Sequence, residues 1–421
     1  ALEAEGVKMT FNDTPDTIPA EFRDPADTLV VYTPAVPASH PIMEWFRDNG
    51  FQIVKRAEVL GLVTRNSRGL CFAGTHGKTT TSSMAAHLLN SGAIGCNAFV
   101  GGVMKNYGSN FLLSPSSPYS VIEADEFDRS FHHLRPFVAV ITATDPDHLD
   151  IYGTEEAYLE SFARFTELVQ PGGYLILHEG LKLKPRPAEG VTVYTYSRDK
   201  GDFHASYIRR DNGTVTFDIV TPRGTIRNVN LGVPVEVNIE NAVAAVAAVA
   251  VTAAFEPETV RDAMSTYRGI KRRFETWYKE PGAKGRVIID DYAHHPEEIR
   301  NAIASVRALY PGRHLTVAFQ PHLYTRTRDF APEFADALSA ADAVILTDLY
   351  PAREEPIEGV SSEIIFNSVK CDDKVMISKE NLTETLKNRN FDILLTMGAG
   401  DMCNFLPEVV EMARNRHETV G

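Results

Sequence analysis

A glycine-rich turn between an apolar run and a helical pattern constrains the fold of this chain more than any other stretch. The turn reads Gly-Thr-His-Gly-Lys-Thr-Thr-Thr over residues 74–81; it follows the apolar run 69–73 and precedes apolar residues at helical spacing over 82–89. Strand, glycine-rich turn and helix in this order allow backbone N–H groups to bind phosphate at a helix N-terminus. In this context Lys78 is predicted to reach the β- and γ-phosphates of a nucleotide, and the Thr79 hydroxyl to reach Mg²⁺.

An ordinary helix-capping turn is the alternative interpretation of these residues. Phe72 stands where the usual P-loop spacing has a glycine. The Gly-Thr-His before the second glycine and the threonine run after Lys78 favour the phosphate-binding interpretation.

Length and charge limit the classes of function. A chain of 421 residues is expected to form two or three domains. The net charge of −14 disfavours nonspecific nucleic-acid binding, which needs a basic surface. The four cysteines lie far apart without C-x-x-C spacing, which is typical of buried free thiols in a reducing cytoplasm. The longest apolar stretch, 242–255, is too short to span a bilayer, and the acidic N-terminal residues do not read as a signal peptide. We therefore expect a cytoplasmic protein without nucleic-acid or membrane partners.

Acidic groups follow two further predicted strands. Strand 119–124 contains Glu123 and is followed by Asp125, Glu126 and Asp128, and strand 137–143 is followed by Asp145, Asp147 and His148. Ligand-binding groups collect beyond the carboxyl ends of parallel strands, so these acids are expected at the same edge as Lys78. Oxygen ligands with one imidazole suit Mg²⁺ beside phosphates. Solvated loop charges are the alternative.

The pattern of elements predicts three α/β domains with boundaries 1–68, 69–269 and 270–421. The first contains predicted strands 28–32 and 51–54 and helices 41–49 and 57–62, with a helix-rich linker as the alternative. The second continues after the glycine-rich turn with helix 155–169 and strand 173–177. β-rich runs at 191–194, 203–208, 214–220 and 225–229 predict an antiparallel flap, and Asn238 to Asn241 are expected to cap an alanine-rich helix.

The last region begins at a basic cluster, 268–275, which is either a solvated charged face or a hinge that faces the triphosphate. Strands and helices then alternate, which predicts a Rossmann-like parallel sheet. The predicted strands are 286–289, 315–319, 343–346, 374–377 and 392–396, and the predicted helices are 296–309, 331–340, 361–368, 382–388 and 402–414. Three of these strands are followed by polar signatures, at 290–296, 320–326 and 398–401.

These motifs together resemble the Mur ligases, which build the peptidoglycan precursor, and the resemblance covers nearly the whole chain. The matching segments are the turn 74–81, Glu-Ala-Asp-Glu-Phe-Asp-Arg-Ser-Phe at 123–131, Asp-Pro-Asp-His-Leu-Asp at 145–150, Arg-Arg-Phe-Glu at 272–275 and the first-domain run 31–37. The run Gln-Pro-His-Leu-Tyr-Thr-Arg at 320–326 resembles the alanine-adding branch of the family. The resemblance implies an ATP-dependent ligase that joins L-alanine to UDP-N-acetylmuramate, uses two Mg²⁺ ions, and is a monomer or weak homodimer.

The resemblance also implies roles for individual residues. The catalytic set is Lys78, Glu123 and His148, and the metal ligands are Thr79, Glu123 and His148. The ATP-binding set is Gly74, Thr75, His76, Gly77, Lys78, Thr79, Thr80, Asn241, Arg273 and Asp291. The substrate-binding set is Ser130, Tyr292, His294, His322 and Arg326.

The chain departs from the family pattern at a few places. Val237 stands where a histidine is usual, and Leu323 stands where most alanine-adding enzymes have an arginine. No lysine occurs from 151 to 170, so the carbamylated lysine of other branches is absent. The N-terminal domain is expected to begin beyond the glycine-rich turn that receives uridine diphosphate, and so to be incomplete. A ligase for a recycled peptide and a non-catalytic regulator that binds a UDP-sugar or nucleotide are the two alternatives.

Overall fold

The computed structural model describes residues 6–33, 36–37, 39–146, 149–211, 213–252, 257–282, 284–352, 354–389 and 391–420. The chain divides into two compact units, the first formed by Ala1–Lys78 and Pro115–Tyr194 and the second by Thr79–Ser114 and Thr195–Gly421. Both units contain β-strands with intervening helices, so the predicted α/β class is confirmed.

The strands are β1 (Leu29–Tyr32), β2 (Gln52–Lys55), β3 (Arg68–Ala73), β4 (Asn97–Met104), β5 (Ser109–Leu112), β6 (Tyr119–Glu123), β7 (Val138–Ile141), β8 (Tyr174–His178), β9 (Thr192–Tyr196), β10 (His204–Asp211), β11 (Thr214–Thr221), β12 (Gly224–Asn230), β13 (Glu275–Lys279), β14 (Val287–Asp291), β15 (Leu315–Phe319), β16 (Ala343–Thr347), β17 (Asp373–Ile377) and β18 (Ile393–Met397). The helices are α1 (Pro41–Asp48), α2 (Arg56–Asn66), α3 (Lys78–Ser91), α4 (Leu149–Tyr152), α5 (Glu155–Glu167), α6 (Glu236–Ala250), α7 (Pro257–Thr266), α8 (Pro296–Leu309), α9 (Tyr324–Leu338), α10 (Glu363–Phe366), α11 (Leu382–Lys387) and α12 (Leu406–Val420).

The start of the first unit is the small α/β arrangement that the sequence predicts. Strands β1 and β2 pair in parallel, and α1 begins at Pro41, whose fixed φ suits the first helical position. Helix α2 continues to Asn66, beyond its predicted end at Leu62. A tertiary contact explains the extension, because the buried Thr64 hydroxyl accepts a hydrogen bond from the Arg135 N–H at 2.9 Å.

Five strands of the first unit lie in the order β6-β3-β7-β8-β9. Strands β3, β6, β7 and β8 pair in parallel, and all four residues of β7 are buried, as expected for strands covered on both faces. The prediction that 191–194 belongs to the flap was wrong, because β9 lies beside β8. The alternating pattern of β9 predicts a strand, but it does not predict which strand lies beside it. Backbone contacts such as the hydrogen bond from Thr192 N–H to Gly173 O (3.0 Å) place β9 next to β8.

The second unit contains the predicted flap, a three-stranded antiparallel sheet β10-β11-β12. It also contains the antiparallel pair β4–β5, which the sequence analysis missed. Helix α6 begins at Glu236 with Val235 as its N-cap, so the prediction that Asn238 to Asn241 cap this helix was wrong. Both asparagines lie inside the helix with buried side chains.

The largest sheet of the second unit has the order β13-β14-β18-β15-β16-β17. The five predicted strands pair in parallel, which confirms the predicted parallel sheet; β13, which was not predicted, pairs antiparallel with β14 at the edge. Helix α9 begins at Tyr324 rather than Ala331; Pro332 inside it lacks an N–H donor, and the backbone at Phe330 is irregular there. Residues 402–405 form a 3₁₀ turn, and α12 begins at Leu406. Among the helices described, none has the length and apolarity to cross a bilayer.

Candidate nucleotide and substrate site

The phosphate loop has a geometry that only glycine allows at its first position. Gly74 has φ of +140°, and a Cβ there would lie 2.2 Å from Thr142 Oγ1. Thr75 ties the loop to the end of β7, because its N–H donates to Ala143 O (3.1 Å) and its hydroxyl donates to Asp145 O (2.7 Å). The Thr142 hydroxyl donates to His76 O. Gly77, with φ of +81°, leads directly into α3 at Lys78. The loop is therefore a fixed glycine turn that leads into a helix N-terminus.

The ammonium of Lys78 is held by two acceptors of the first unit. Lys78 Nζ donates to Gly74 O at 2.7 Å and to Glu126 Oε1 at 2.8 Å. Glu126 is 1% exposed, and burial raises the pKa of its carboxyl although Lys78 acts in the opposite direction. From the sequence, Glu126 is one of several acids expected at this edge and has no role of its own, because spacing alone does not show which acid turns inward.

Glu123 and Ser130, two predicted site residues, line one cavity of about 200 Å³ in the first unit. Lys55 and Asp125 line it as well. Lys55 Nζ lies 2.6 Å from Asp128 Oδ2, and this carboxylate raises the pKa of Lys55. The cavity thus combines two carboxylates, a hydroxyl and a cation, which suits a polar ligand.

Thr79 and Glu123 are the predicted metal ligands that the structure describes. His148 lies outside the described residues, and within the described part of the chain no three His, Cys, Asp or Glu side chains form a metal-binding group. Glu123 stands at the carboxyl end of β6, and Thr79 stands in the first turn of α3. Their oxygen atoms are of the kind that Mg²⁺ prefers, so the donor chemistry fits this ion.

Asn241 joins α6 to the first turn of α3 within the second unit. Its Nδ2 donates to Asn238 Oδ1 at 3.0 Å, and its Oδ1 accepts from the Thr81 hydroxyl at 3.2 Å. Asn238 in turn donates to Val233 O at 3.2 Å. This buried chain of amides fixes the side chain that the resemblance assigns to the nucleotide. Thr80 lies one residue before Thr81 on α3.

The basic cluster adopts strained backbone at the start of β13. Arg272 and Phe274 have φ of +60° and +46°, a region that residues with a Cβ rarely adopt. The Arg272 guanidinium donates to Gly400 O at 3.0 Å and to Gly398 O, and it lies 5.0 Å from the Tyr292 ring centre. Arg273 lies 5.8 Å from the same ring. Arg272 is therefore fixed within the fold, whereas Arg268, Lys271 and Arg273 of the cluster are exposed.

Asp291, a predicted nucleotide contact, is bound by backbone donors. Its Oδ2 accepts from Phe274 N–H at 2.7 Å and its Oδ1 accepts from Ala293 N–H at 2.8 Å. Asp290 beside it lies 3.4 Å from Arg272 Nε and accepts the Thr396 hydroxyl at 2.6 Å. Burial raises the pKa of both carboxyls to about 6; the negative charge of Asp291 also raises the pKa of Asp290, and that of Glu298 also raises the pKa of Asp291.

The raised pKa of Asp290 predicts that the free energy of unfolding falls as the pH rises. The folded pKa of Asp290, about 6, lies above its ordinary value of 3.8, so the folded protein keeps a proton that the unfolded chain loses. Its contribution to stability is present below pH 3.8 and is lost as the pH rises through about 6. Relative to Asp290→Asn, wild type should lose roughly 3 kcal/mol of unfolding free energy over this range.

Urea unfolding at several pH values checks this, with the exposed Asp262→Asn as the control variant. A constant difference between wild type and Asp290→Asn across this range of pH would contradict the raised pKa.

The remaining predicted substrate residues lie together in the second unit. Arg326 Nη1 is 3.4 Å from His322 Nδ1, and the His322 and His294 ring centres are 6.2 Å apart. The Tyr292 ring lies 5.2 Å from that of His294. Burial lowers the pKa of both His294 and His322, and the Arg326 charge lowers it further. The cluster therefore offers neutral imidazoles beside one guanidinium.

Two acidic residues support this cluster and were missed by sequence reasoning. Glu298 Oε2 lies 3.2 Å from His294 Nδ1, and it accepts a hydrogen bond from the backbone N–H of His294 at 3.0 Å. Glu354 accepts the backbone N–H of Thr325 at 3.0 Å and its hydroxyl. The proline and acids at the start of α8 could have signalled Glu298, because Glu at the third helical position often forms a capping box.

Comparisons with known proteins found relatives that cover nearly the whole chain. Residues 72–249 match the family described as Mur ligase middle domain, and residues 272–400 match Mur ligase, glutamate ligase domain. The chain is 54% identical over 409 residues to the UDP-N-acetylmuramate--L-alanine ligase of Phocaeicola vulgatus, covering 97% of this chain and 88% of that protein. It is 53% identical to the enzyme of the same name from Parabacteroides distasonis, covering 98% and 88%.

The fold is similar to two solved structures. The UDP-N-acetylmuramate-alanine ligase of Thermotoga maritima matches with a TM-score of 0.80 and 24% identity, over 100% of this chain and 90% of that chain. A murein peptide ligase from Psychrobacter arcticus matches with a TM-score of 0.59 and 21% identity, over 91% and 85%. At these identities the similarity concerns the fold.

Proposed function

The chain belongs to the Mur ligase family, and we propose that it acts as an ATP-dependent ligase in peptidoglycan precursor synthesis. It joins L-alanine to the lactyl carboxylate of UDP-N-acetylmuramate, and ATP becomes ADP and phosphate. The observation that carries this conclusion is the identity of 54% over 97% of the chain to a relative with this activity in its name. The shape of the loop at Gly74 and the position of Lys78 support the nucleotide part of the reaction.

The reaction needs activation, because a carboxylate and an amine do not form an amide at a useful rate. Phosphorylation of the lactyl carboxylate gives an acyl phosphate, which the neutral amine of alanine then attacks with release of phosphate. We propose that residues 74–80 bind the triphosphate and that Lys78 stabilises charge on the transferred phosphoryl group. Asn241, Arg273 and Asp291 are proposed to position the nucleotide.

Thr79, Glu123 and His148 would hold Mg²⁺, and two ions are proposed. When bound, the metal neutralises charge on the phosphoryl oxygens during transfer. Glu123 and Ser130, which line one cavity, are proposed to lie where phosphoryl donor and lactyl carboxylate meet. Tyr292, His294, His322 and Arg326 are proposed to bind the amino acid and the muramoyl group.

The order of the two steps can be tested by trapping. If the acyl phosphate forms before alanine attacks, hydroxylamine should yield a hydroxamate from ATP and UDP-N-acetylmuramate in the absence of alanine. Mass spectrometry of the sugar product, with a reaction lacking ATP as the control, measures it. Normal ligation with no hydroxamate would contradict the two-step order.

The substrate that supports turnover distinguishes the alanine ligase from a ligase for a recycled peptide and from a non-catalytic regulator. Phosphate release is measured with UDP-N-acetylmuramate and a panel of amino acids and short peptides. We expect turnover with L-alanine; turnover only with a peptide would favour the recycling ligase, and binding of ATP without turnover would favour a regulator. The cytoplasmic location, the monomeric or weakly dimeric state, and the domain boundaries at 68/69 and 269/270 stay predictions.

A further inference from the structure

A buried carboxylate contacts the lysine of the phosphate loop. Glu126 Oε1 accepts from Lys78 Nζ at 2.8 Å, while Glu126 Oε2 is buried and has no hydrogen-bond partner among the described residues. Burying a carboxylate with one unsatisfied oxygen costs free energy, and apolar replacement of a buried ion pair is often neutral or stabilising. Stability alone therefore does not account for this group.

Glu126 and Gly74 together determine where the ammonium of Lys78 points. An ammonium has three N–H donors. Gly74 O accepts one at 2.7 Å and Glu126 Oε1 accepts a second at 2.8 Å. With two donors fixed in this way, the direction of the third follows from the tetrahedral geometry of the nitrogen. A lysine held by the loop carbonyl alone would keep rotational freedom about its last bond.

The backbone around Glu126 is held firmly by its neighbours. Glu126 O accepts the Tyr152 hydroxyl at 2.5 Å and the Arg129 N–H at 2.9 Å. Asp128 and Arg129 have φ of +50° and +55°, a conformation that costs free energy for residues with a Cβ. Two contacts stabilise it, the ion pair of Asp128 with Lys55 at 2.6 Å and the Arg129 guanidinium 4.7 Å from the Tyr152 ring centre.

We propose that Glu126 is a positioning residue that aims the Lys78 ammonium at the transferred phosphoryl group. It acts through Lys78 and does not itself touch a substrate. The proposal rests on the phosphoryl-transfer function proposed above. It predicts that Glu126 matters for turnover more than for ATP binding, because orientation of the charge counts most in the transition state.

A double-mutant cycle tests the proposal. Glu126→Leu should lower kcat roughly 10- to 100-fold, the loss expected for a hydrogen bond to a charged group, with the KM for ATP within about 3-fold of wild type. In a Lys78→Ala background the same change should lower kcat less than about 2-fold, since the group through which Glu126 acts is gone. Glu126→Gln keeps an acceptor for Lys78 and should lose only about 3- to 10-fold.

Glu280→Leu is the matched control, because Glu280 is 8% exposed and pairs with Arg286 at 3.1 Å in the second unit. It should lower the thermal midpoint and leave kcat unchanged. If Glu126→Leu keeps wild-type kcat, or loses the same factor in both backgrounds, the positioning role is wrong. If Glu126→Leu does not fold, Glu126→Gln takes its place in the cycle with the same criteria. Turnover of the wild-type protein is measured before that of the variants. If the wild type shows no turnover, the proposed function is contradicted, and the cycle does not bear on Glu126.

Discussion

Replacing Lys78 with alanine should lower kcat roughly 10²- to 10³-fold, because loss of a transition-state charge contact costs about 3–4 kcal/mol. The side chain is 15% exposed and its ammonium is held by Gly74 O and Glu126 Oε1, so alanine removes a charge that the fold has positioned. Glu123→Ala should cause a loss of similar size if this carboxylate binds the metal. Steady-state phosphate release at saturating Mg²⁺ measures both.

Lys182→Ala is the control for Lys78→Ala. Lys182 also pairs with a glutamate, Glu155 at 2.8 Å, but its side chain is 75% exposed, and its loss should not change kcat. Circular dichroism and thermal unfolding establish that each variant folds. Near-normal turnover of folded Lys78→Ala or Glu123→Ala would show that the role assigned to that residue is wrong.

Replacing Arg326 with alanine should raise the KM for L-alanine roughly 10- to 100-fold while the KM for ATP changes little, since losing a charged hydrogen-bonded partner costs about 1.5–3 kcal/mol. The planar guanidinium matches a carboxylate bidentately, and alanine brings one carboxylate to the site. Arg326 lies in the first turn of α9, and its guanidinium is next to the imidazole of His322, whose pKa is lowered by burial. Leu323 stands where the family usually has a second arginine, so Arg326 should carry more of the binding.

Arg328→Ala is the matched control on the same helix. Arg328 bonds the exposed neighbouring Asp329 at 2.7 Å, and its removal should leave all three KM values unchanged. Leu323→Arg should be tolerated, because both side chains carry a Cβ and the backbone strain at a φ of +72° is the same for both. It should leave the KM for alanine unchanged or lower it. An unchanged KM for alanine in Arg326→Ala would contradict this role and would direct the search for the carboxylate-binding residue to Arg272 and Arg273.

The elements that sequence patterns predicted well are those whose pattern has a local cause. Strands β3 and β7 are continuous apolar runs because helices cover both sheet faces in α/β folds, and residue-level hydrophobicity shows this directly. The loop from Gly74 to Lys78 was recognisable because its glycine positions are dictated by backbone geometry, such as the φ of +140° at Gly74. Helix α8 begins at the predicted Pro296, where proline suits the first turn.

The elements that were mispredicted depend on partners distant in the chain. Strand β9 was assigned to the flap because alternation does not identify the neighbouring strand. Helix α6 begins at Glu236, before its asparagines. Asn238 donates to Val233 O and Asn241 accepts from the Thr81 hydroxyl, so both side chains form tertiary hydrogen bonds and do not cap the helix. Helix α9 continues through Phe330 and Pro332, although a proline inside a helical pattern usually marks a start or an end.

The sequence by itself determined the α/β class, the phosphate loop and the chemical types of the site residues, because these follow from local periodicity, backbone conformation and side-chain chemistry. Only the tertiary structure decided which acid meets Lys78, whereas the contact of Glu298 with His294 is local and follows from the capping position at the start of α8. Glu126 is buried and contacts a lysine that lies 48 positions away in the chain, whereas spacing alone made it one acid among several. The pKa and orientation of such groups depend on the desolvation and hydrogen bonds that folding creates, and these have no local signature.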